Sequence, residues 1–419
     1  MPAALSFAYG ALLAAWLMVC VWSLYNLPIL MAGVRNLRKN RKRGFQSRLP
    51  SFSVIVPVKN EEKVIGRFLE AMSRVSYSHD RIEVITVEDG STDRTSEICR
   101  EFAENHRDFC VRNLHGQSSN GKPCALNLGL REAKGEIIAV FDADSVPAPD
   151  VLLNVCKYFD EPSVAAVQGR TMSINEDQNM LTKFISYEDA VWSEAYLRGK
   201  DTLDLFVHLR GTCQFIRRAV LAKLGNFDEG TLSEDMELSA RLTEKGYRIR
   251  YGSDVCSLQE SPAMLKSLLR QRIRWCRGMM EVAFRYGRLM AKPSRKNVDA
   301  EATLFAPVIL IASLLTYFVA SYLVLAPNNL DLLMSLATRI AFASTTLTLI
   351  LSSLALIYAA KPRKISSILW LPFVYFYYIL QTLIAIYAVG LIVLRRPRRW
   401  VKTEKTGNIK VNHSITTGG

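Results

Sequence analysis

Residues 3–32 are almost wholly apolar, with Trp16, Trp22 and Tyr25 among them, and the run is long enough to cross a bilayer as a helix. From residue 50 the pattern changes. Short apolar runs at 53–58, 81–87, 109–114 and 136–141 predict strands. Between them lie an amphipathic stretch to about Val75, a helix opening at Asp89-Gly90-Ser91, and another over 121–133. This alternation predicts an α/β fold with a mostly parallel sheet covered by helices over residues 50–260. A long helical pattern follows over 261–292. Leu265, Leu268, Leu269, Cys276, Met279, Met280 and Ala283 recur on one face, and Lys266, Arg270, Arg274, Arg277, Arg285 and Arg288 on another. Ser261-Pro262 reads as its start, with Ser as N-cap and Pro at the first helical position. Three hydrophobic stretches, 304–326, 333–360 and 365–394, complete the transmembrane pattern, and a basic tail occupies 395–419.

Charge orients these segments. The chain carries 53 Lys+Arg against 39 Asp+Glu, a net charge of +14, and much of the excess lies beside hydrophobic stretches. That suits a membrane surface; no nucleic-acid motif appears, and the aromatics are not interleaved with the basic runs. Arg35, Arg38, Lys39, Arg41, Lys42, Arg43 and Arg48 follow the first stretch, so 50–260 is expected to be cytoplasmic and residues 1–34 a transmembrane anchor with its N-terminus outside. The first stretch lacks the basic n-region and cleavage site of a signal peptide. The last stretch is too long for one perpendicular span at about 1.5 Å per residue and too short for two. It is either re-entrant or an exception to the charge rule, since Arg395, Arg396, Arg398 and Arg399 also belong inside. The eight cysteines form no C-x-x-C pair, which suits free thiols in a reducing compartment.

In open α/β sheets, ligands bind beyond the carboxyl ends of strands. Asp89 follows the second predicted strand, and Asp142-Ala143-Asp144 follows the fourth, so all three point to one rim. Two aspartates at i, i+2 there suit a hard divalent cation shared with phosphate oxygens, although acidic residues are also common in plain turns. No G-x-G-x-x-G follows the first strand, which excludes the usual dinucleotide fingerprint. Ser233-Glu234-Asp235 precedes a helical pattern over 236–245, with Ser233 as the candidate N-cap. Asp235 then sits in the first turn, where the helix dipole favours its ionised form, as a general base or simply as a charge stabilising the helix end. Gln271, Arg274 and Trp275 fall at i, i+3 and i+4 and project together, able to grip a phosphate and stack on a sugar ring. The alternative is an interfacial helix with arginines on lipid headgroups and Trp275 as an anchor.

Taken in order, Asp89, Asp142-Ala143-Asp144, Glu234-Asp235 and Gln271-Arg272-Ile273-Arg274-Trp275 resemble the D, D-x-D, [T/S]-E-D, Q-x-x-R-W series of the membrane-embedded family 2 glycosyltransferases, which include cellulose, chitin, hyaluronan and poly-N-acetylglucosamine synthases. Val54-Ile55-Val56-Pro57, the stretch Gly121–Asn127, Gly211 and Phe215-Ile216-Arg217-Arg218 match as well. Gln271–Glu281 is most similar to the poly-N-acetylglucosamine branch, and Trp400–Lys405 is similar to the gating loop that covers the nucleotide in such enzymes.

The resemblance implies a GT-A-type fold and inverting transfer from a UDP-sugar. On it, Asp235 is the base. Asp144 and Asp142 hold Mg2+ or Mn2+ with the diphosphate. Pro57, Asp89, Lys122, Asp142 and Arg274 bind the nucleotide sugar, and Gln271, Trp275 and Glu234 shape the acceptor site. It implies processive polymer synthesis in a multi-pass protein of the cell membrane, with membrane lipids and an export or accessory protein as partners. Transfer of a single sugar to a lipid remains open. So does a transporter or receptor with a noncatalytic cytoplasmic domain, which has no need of the acidic motifs in this order.

Overall fold

The computed structural model describes residues 3–37, 49–107, 109–116, 121–325, 371–397 and 405–407, together with scattered positions between 332 and 369. α1 (Ala3–Asn36) is followed by β1 (Phe52–Val58), α2 (Ile65–Ser73), β2 (Ile82–Glu88), α3 (Thr95–Asn105), β3 (Cys110–His115), α4 (Lys122–Glu132) and β4 (Ile137–Val140). These four strands and α4 lie within a residue or two of the expected ones, because the sequence periods are strong there, whereas α3 opens at Thr95, four residues after the Asp89-Gly90-Ser91 turn expected to start it. β5 (Val146–Pro147), α5 (Val151–Cys156), β6 (Val164–Ser173), α6 (Met180–Val191), a π-turn over Trp192–Leu197 and α7 (Arg198–Thr202) come next. They lead to β7 (Gln214–Arg217), α8 (Arg218–Lys223), α9 (Glu234–Glu244) and β8 (Arg248–Gln259).

The sheet runs β3-β2-β1-β4-β7-β6-β8-β5. β3, β2, β1 and β4 are parallel, β7 is antiparallel to β4 and β6, and β6 and β8 are again parallel. Covering both faces explains why the strands read as unbroken apolar runs. Val54, Val56 and Val58 of β1 pack with Phe68, Leu69 and Met72 of α2 on one face. Ile55, with Ile85 and Val87 of β2, packs with Leu126 and Leu130 of α4 and Leu238 and Leu242 of α9 on the other.

The helix bearing Gln271–Trp275, α10 (Leu265–Tyr286), starts three residues later than the Ser261-Pro262 signal suggests, with Met264 at its N-cap. Ser261 is engaged elsewhere. Its amide donates to Asn175 Oδ1 at 2.8 Å and its hydroxyl bonds Ser173 at 2.8 Å, tying the end of β8 to β6. The basic face of α10 is not uniformly exposed. Lys266, Arg270 and Arg285 are exposed, but Arg277 is buried, pairing with Glu281 and donating to the carbonyls of Arg396 (2.6 Å) and Pro397 (3.1 Å).

α11 (Arg295–Leu304), α12 (Ala306–Leu325) and α13 (Leu371–Val393) follow. Among the described residues, Leu13–Asn36 within α1 is long and apolar enough to cross a membrane alone; α11 and the start of α12 pass only as a pair bent by 62°. Most of the expected stretch 333–360 lies outside the described residues. Over most of 365–394 the chain is one continuous helix of 23 residues. Beside α1, Lys200 and Asp299 form a fully buried pair at 2.8 Å. Lys200 also donates to Thr303, and Asp299 accepts from Tyr25 of α1 and from the Phe206 amide. Removing one partner of such a pair leaves a buried charge. Asp299→Ala is therefore expected to cost about 3–5 kcal/mol of stability, read as a lowered thermal unfolding temperature in detergent, with a smaller loss in Lys200→Met/Asp299→Leu.

Candidate active site

The parallel order β2-β1-β4 sets the carboxyl ends of three strands on one rim, as the sequence pattern predicts. Pro57, Asp89, Lys122, Asp142, Asp144, Glu234, Asp235, Gln271, Arg274 and Trp275 all line the same cleft there. Asp89, one residue past β2, accepts from the Gly121 amide at 3.2 Å, at the start of α4. That contact ties the mouth of α4 to the end of β2. Asp142 is anchored through its amide, which donates to Thr212 Oγ1 at 3.1 Å.

Lys122, at the first turn of α4, reaches across the cleft. Its ammonium donates to Asp142 Oδ1 at 2.7 Å and to the Gly211 carbonyl at 2.9 Å, and lies 3.6 Å from Glu234 Oε1. Burial opposes its charge, but Asp142, Glu234 and Asp235 hold it well above the ordinary lysine range. Gly211 has φ of 77°, and a Cβ there would stand 3.2 Å from both Asp235 Oδ2 and Lys122 Nζ. A glycine is thus needed both for the backbone and for the closeness of the two charged groups.

Asp235 departs from expectation. It does occupy the first turn of α9, but among the described residues its carboxylate accepts only from the adjacent Met236 amide, at 2.8 Å. Burial and the neighbouring Glu234 carboxylate push it up to about 7, against the pull of Lys122. Desolvation and like charge outweigh the helix end. A carboxyl titrating near neutrality is suited to taking and releasing a proton. Ser233 holds the N-cap position without capping through its side chain. Its hydroxyl faces α10 instead, where a Cβ on Gly278 would fall 2.1 Å from Ser233 Oγ. Gly278 therefore sets how closely the Gln271–Trp275 turn approaches Asp235.

Asp144 is 4% exposed and accepts from the Glu260 amide at 3.0 Å. Burial raises it, but the Lys405 ammonium at 2.7 Å outweighs burial and holds it below the usual carboxylate range. The segment 405–407 is clasped by Glu260. Glu260 Oε1 accepts from the Thr406 amide and hydroxyl, both at 2.6 Å, and Oε2 accepts from the Gly407 amide at 3.2 Å. The expected tail region 400–404 lies outside the described residues, but Lys405 does sit in the cleft. Glu260 carries no motif signal of its own, because the segment it holds begins 145 residues away. Among the described residues no three His, Cys, Asp or Glu side chains converge as a ready metal cage. Asp142 and Asp144 alone fit a cation that completes its shell on ligand oxygens, as Mg2+ commonly does with phosphates. Among the described residues, the buried Arg274 Nε has no hydrogen-bond partner, a donor left over for an anion.

The family model for "Glycosyltransferase like family 2" matches residues 50–278. "Probable glycosyltransferase YdaM" of Bacillus subtilis (strain 168) is 34% identical over 291 residues, 67% of this chain and 69% of that protein. "Beta-monoglucosyldiacylglycerol synthase" of Nostoc sp. is 32% identical over 274 residues, 65% of this chain and 57% of its own length. "Poly-beta-1,6-N-acetyl-D-glucosamine synthase" of Staphylococcus aureus (strain COL) is 27% identical over 238 residues, 57% of this chain and 56% of its own. The chain thus spans little more than half of these last two relatives. The solved mannosyltransferase PcManGT from Pyrobaculum calidifontis, in complex with GDP-Man and Mn2+, aligns with a TM-score of 0.59 at 22% identity, over 92% of this chain and 100% of its own. That likeness is one of fold, and the fold is of the GT-A type.

Gly278→Ala should push α10 off the Ser233 turn and slow turnover by about five- to 150-fold, the effect of a strain of about 1–3 kcal/mol. Pairing it with Ser233→Gly should recover most of the rate, measured as steady-state turnover of the two variants side by side.

Proposed function

The chain belongs to the glycosyltransferase-like family 2, and from that premise we propose that it is an inverting, UDP-sugar-dependent hexosyltransferase that passes a sugar to a lipid hydroxyl at a membrane. The observation that carries the reading is Asp235, raised to about 7, facing Lys122 in a cleft shared with Asp142, Asp144 and Arg274. The acceptor oxygen forms a bond to the anomeric carbon as the bond to the diphosphate oxygen breaks. Asp235 takes the hydroxyl proton, and the diphosphate leaves with the electron pair. Because the diphosphate departs as a stabilised anion, one protein base suffices and no second carboxyl acid is required, unlike in glycosidases.

Arg274 grips the diphosphate as charge develops on it, with its Nε, which has no partner among the described residues, as the donor. Asp89 accepts from the uracil ring beside Pro57, and Lys122 steadies the nucleotide while balancing Asp142 and Glu234. Asp144 and Asp142 would hold Mg2+ or Mn2+, which supplies charge neutralisation of the diphosphate. Lys405, an ammonium already on Asp144, marks a position that favours positive charge. Gln271, Trp275 and Glu234 form the acceptor side.

A lipid acceptor is favoured by the higher identity and longer match to the diacylglycerol enzyme than to the polymer synthase. Processive, poly-N-acetylglucosamine-like synthesis is the second reading, carried by the similarity of Gln271–Glu281 to that branch and by the 27% relative. In either case residues 50–260 form the cytoplasmic catalytic domain, 261–292 the interface helix, and 1–34 and 303–394 the multi-pass membrane part, with 395–419 as the basic tail. The acceptor would lie at the bilayer surface beside α10.

The test uses purified full-length protein in phosphatidylcholine vesicles with and without diacylglycerol, given radiolabelled UDP-sugars. A solvent-extractable lipid carrying one sugar, absent in EDTA and restored by Mg2+ or Mn2+, is the expected product. A sugar ladder independent of diacylglycerol would favour the second reading, and no transfer from any UDP-sugar would defeat both.

A further inference from the structure

Trp275 does not stand alone in the cleft. The Arg272 guanidinium lies over its ring, 4.6 Å from the centroid. Arg272 is in turn held by Glu188 of α6, with Nη2 2.6 Å from Oε2. The same Glu188 oxygen accepts from the Tyr377 hydroxyl of α13 at 2.9 Å. Phe184 and Ile185 of α6, Leu268 of α10 and Tyr377 form the apolar cluster around this chain of contacts. Burial raises the Glu188 carboxyl, the direction expected of a carboxylate shut from water. A planar guanidinium stacked on an indole and fixed by a carboxylate leaves that ring little freedom to tilt. One indole face is thus covered, and the residue still lines the cleft.

We propose that Arg272, Glu188 and Tyr377 are positioning residues: they lock the Trp275 indole in the orientation that receives the acceptor, and through Tyr377 they tie the acceptor subsite to an apolar C-terminal helix. The inference rests on the acceptor role given to Trp275 above. None of the three is assigned to donor binding, and only Arg272 falls within the Q-x-x-R-W turn. Lysine in place of Arg272 keeps the charge and can keep an ion pair with Glu188, but it cannot stack as a plane. Phenylalanine in place of Tyr377 removes only the hydroxyl.

The experiment combines two readouts on full-length protein in detergent or vesicles. The first is acrylamide quenching of Trp275, taken as the difference between each variant and the same variant carrying Trp275→Phe. The second is KM for diacylglycerol in phosphatidylcholine vesicles with UDP-sugar saturating, alongside the Kd for UDP. Arg272→Lys and Glu188→Gln are expected to make Trp275 more quenchable and to raise acceptor KM about fivefold, the loss of one stacking contact. Tyr377→Phe should do the same to a smaller extent, and UDP affinity should stay within about twofold throughout. In a Trp275→Ala background, Arg272→Lys should add nothing further to acceptor KM, since coupled residues are not additive. Unchanged quenching in Arg272→Lys and Tyr377→Phe, or effects that add fully to Trp275→Ala, would overturn the positioning role alone. An unchanged acceptor KM in Trp275→Ala itself would overturn the acceptor reading on which it rests.

Discussion

The site depends on balancing negative charge in a confined space. Asp142, Asp144, Glu234 and Asp235 line one cleft, and Asp144 and Glu234 are almost fully buried. Carboxylates this close cannot all ionise unless cations stand between them. Lys122 serves one side, bridging Asp142 and Glu234, and Lys405 serves the other, on Asp144. The balance is uneven. Asp144, with an ammonium at 2.7 Å, is held ionised, while Asp235, with Glu234 beside it, is raised to about 7. Neighbouring carboxyls are thereby divided into one suited to positive charge and one suited to moving a proton.

The backbone makes this balance geometrically accessible. Gly211, at positive φ, lets Lys122 and Asp235 approach across the turn before β7, and Gly278 lets α10 come against the turn before α9. The same close approach carries Arg274 and Trp275 to the cleft. On its far side α10 meets α13, where Arg277 holds the carbonyls at Arg396 and Pro397 and Tyr377 reaches Glu188. One helix thus links the charged cleft to the apolar C-terminal part of the chain.

Much of this was legible in the sequence. The alternation of strand and helix over 50–141 and the placing of Asp89, Asp142 and Asp144 at strand ends depend on local periodicity, which survives folding. Features set by distant partners were not legible. Ser261-Pro262 looked like a helix start, but Asn175 and Ser173 take Ser261. Asp235 looked like a residue kept ionised by a helix end, but desolvation and Glu234 dominate. Arg277 belonged to the basic face by spacing, but is buried against a segment 120 residues away. Glu260 and Glu188 carried no pattern at all, since each gains its role from tertiary contacts.

Everything proposed for the chemistry converges on Asp235 as the proton acceptor of a cleft that otherwise serves to hold a nucleotide sugar. The decisive measurement is kcat/KM against pH for the full-length protein and for Asp235→Asn, with UDP affinity measured in parallel. In the unmodified protein the rate should climb with pH as a single group of pKa about 7 loses its proton. In Asp235→Asn that limb should vanish and turnover should fall at least about a hundredfold, in the range of general-base catalysis, with UDP still bound. Near-normal turnover in Asp235→Asn, or the same pH limb surviving in it, would contradict the assignment of the base.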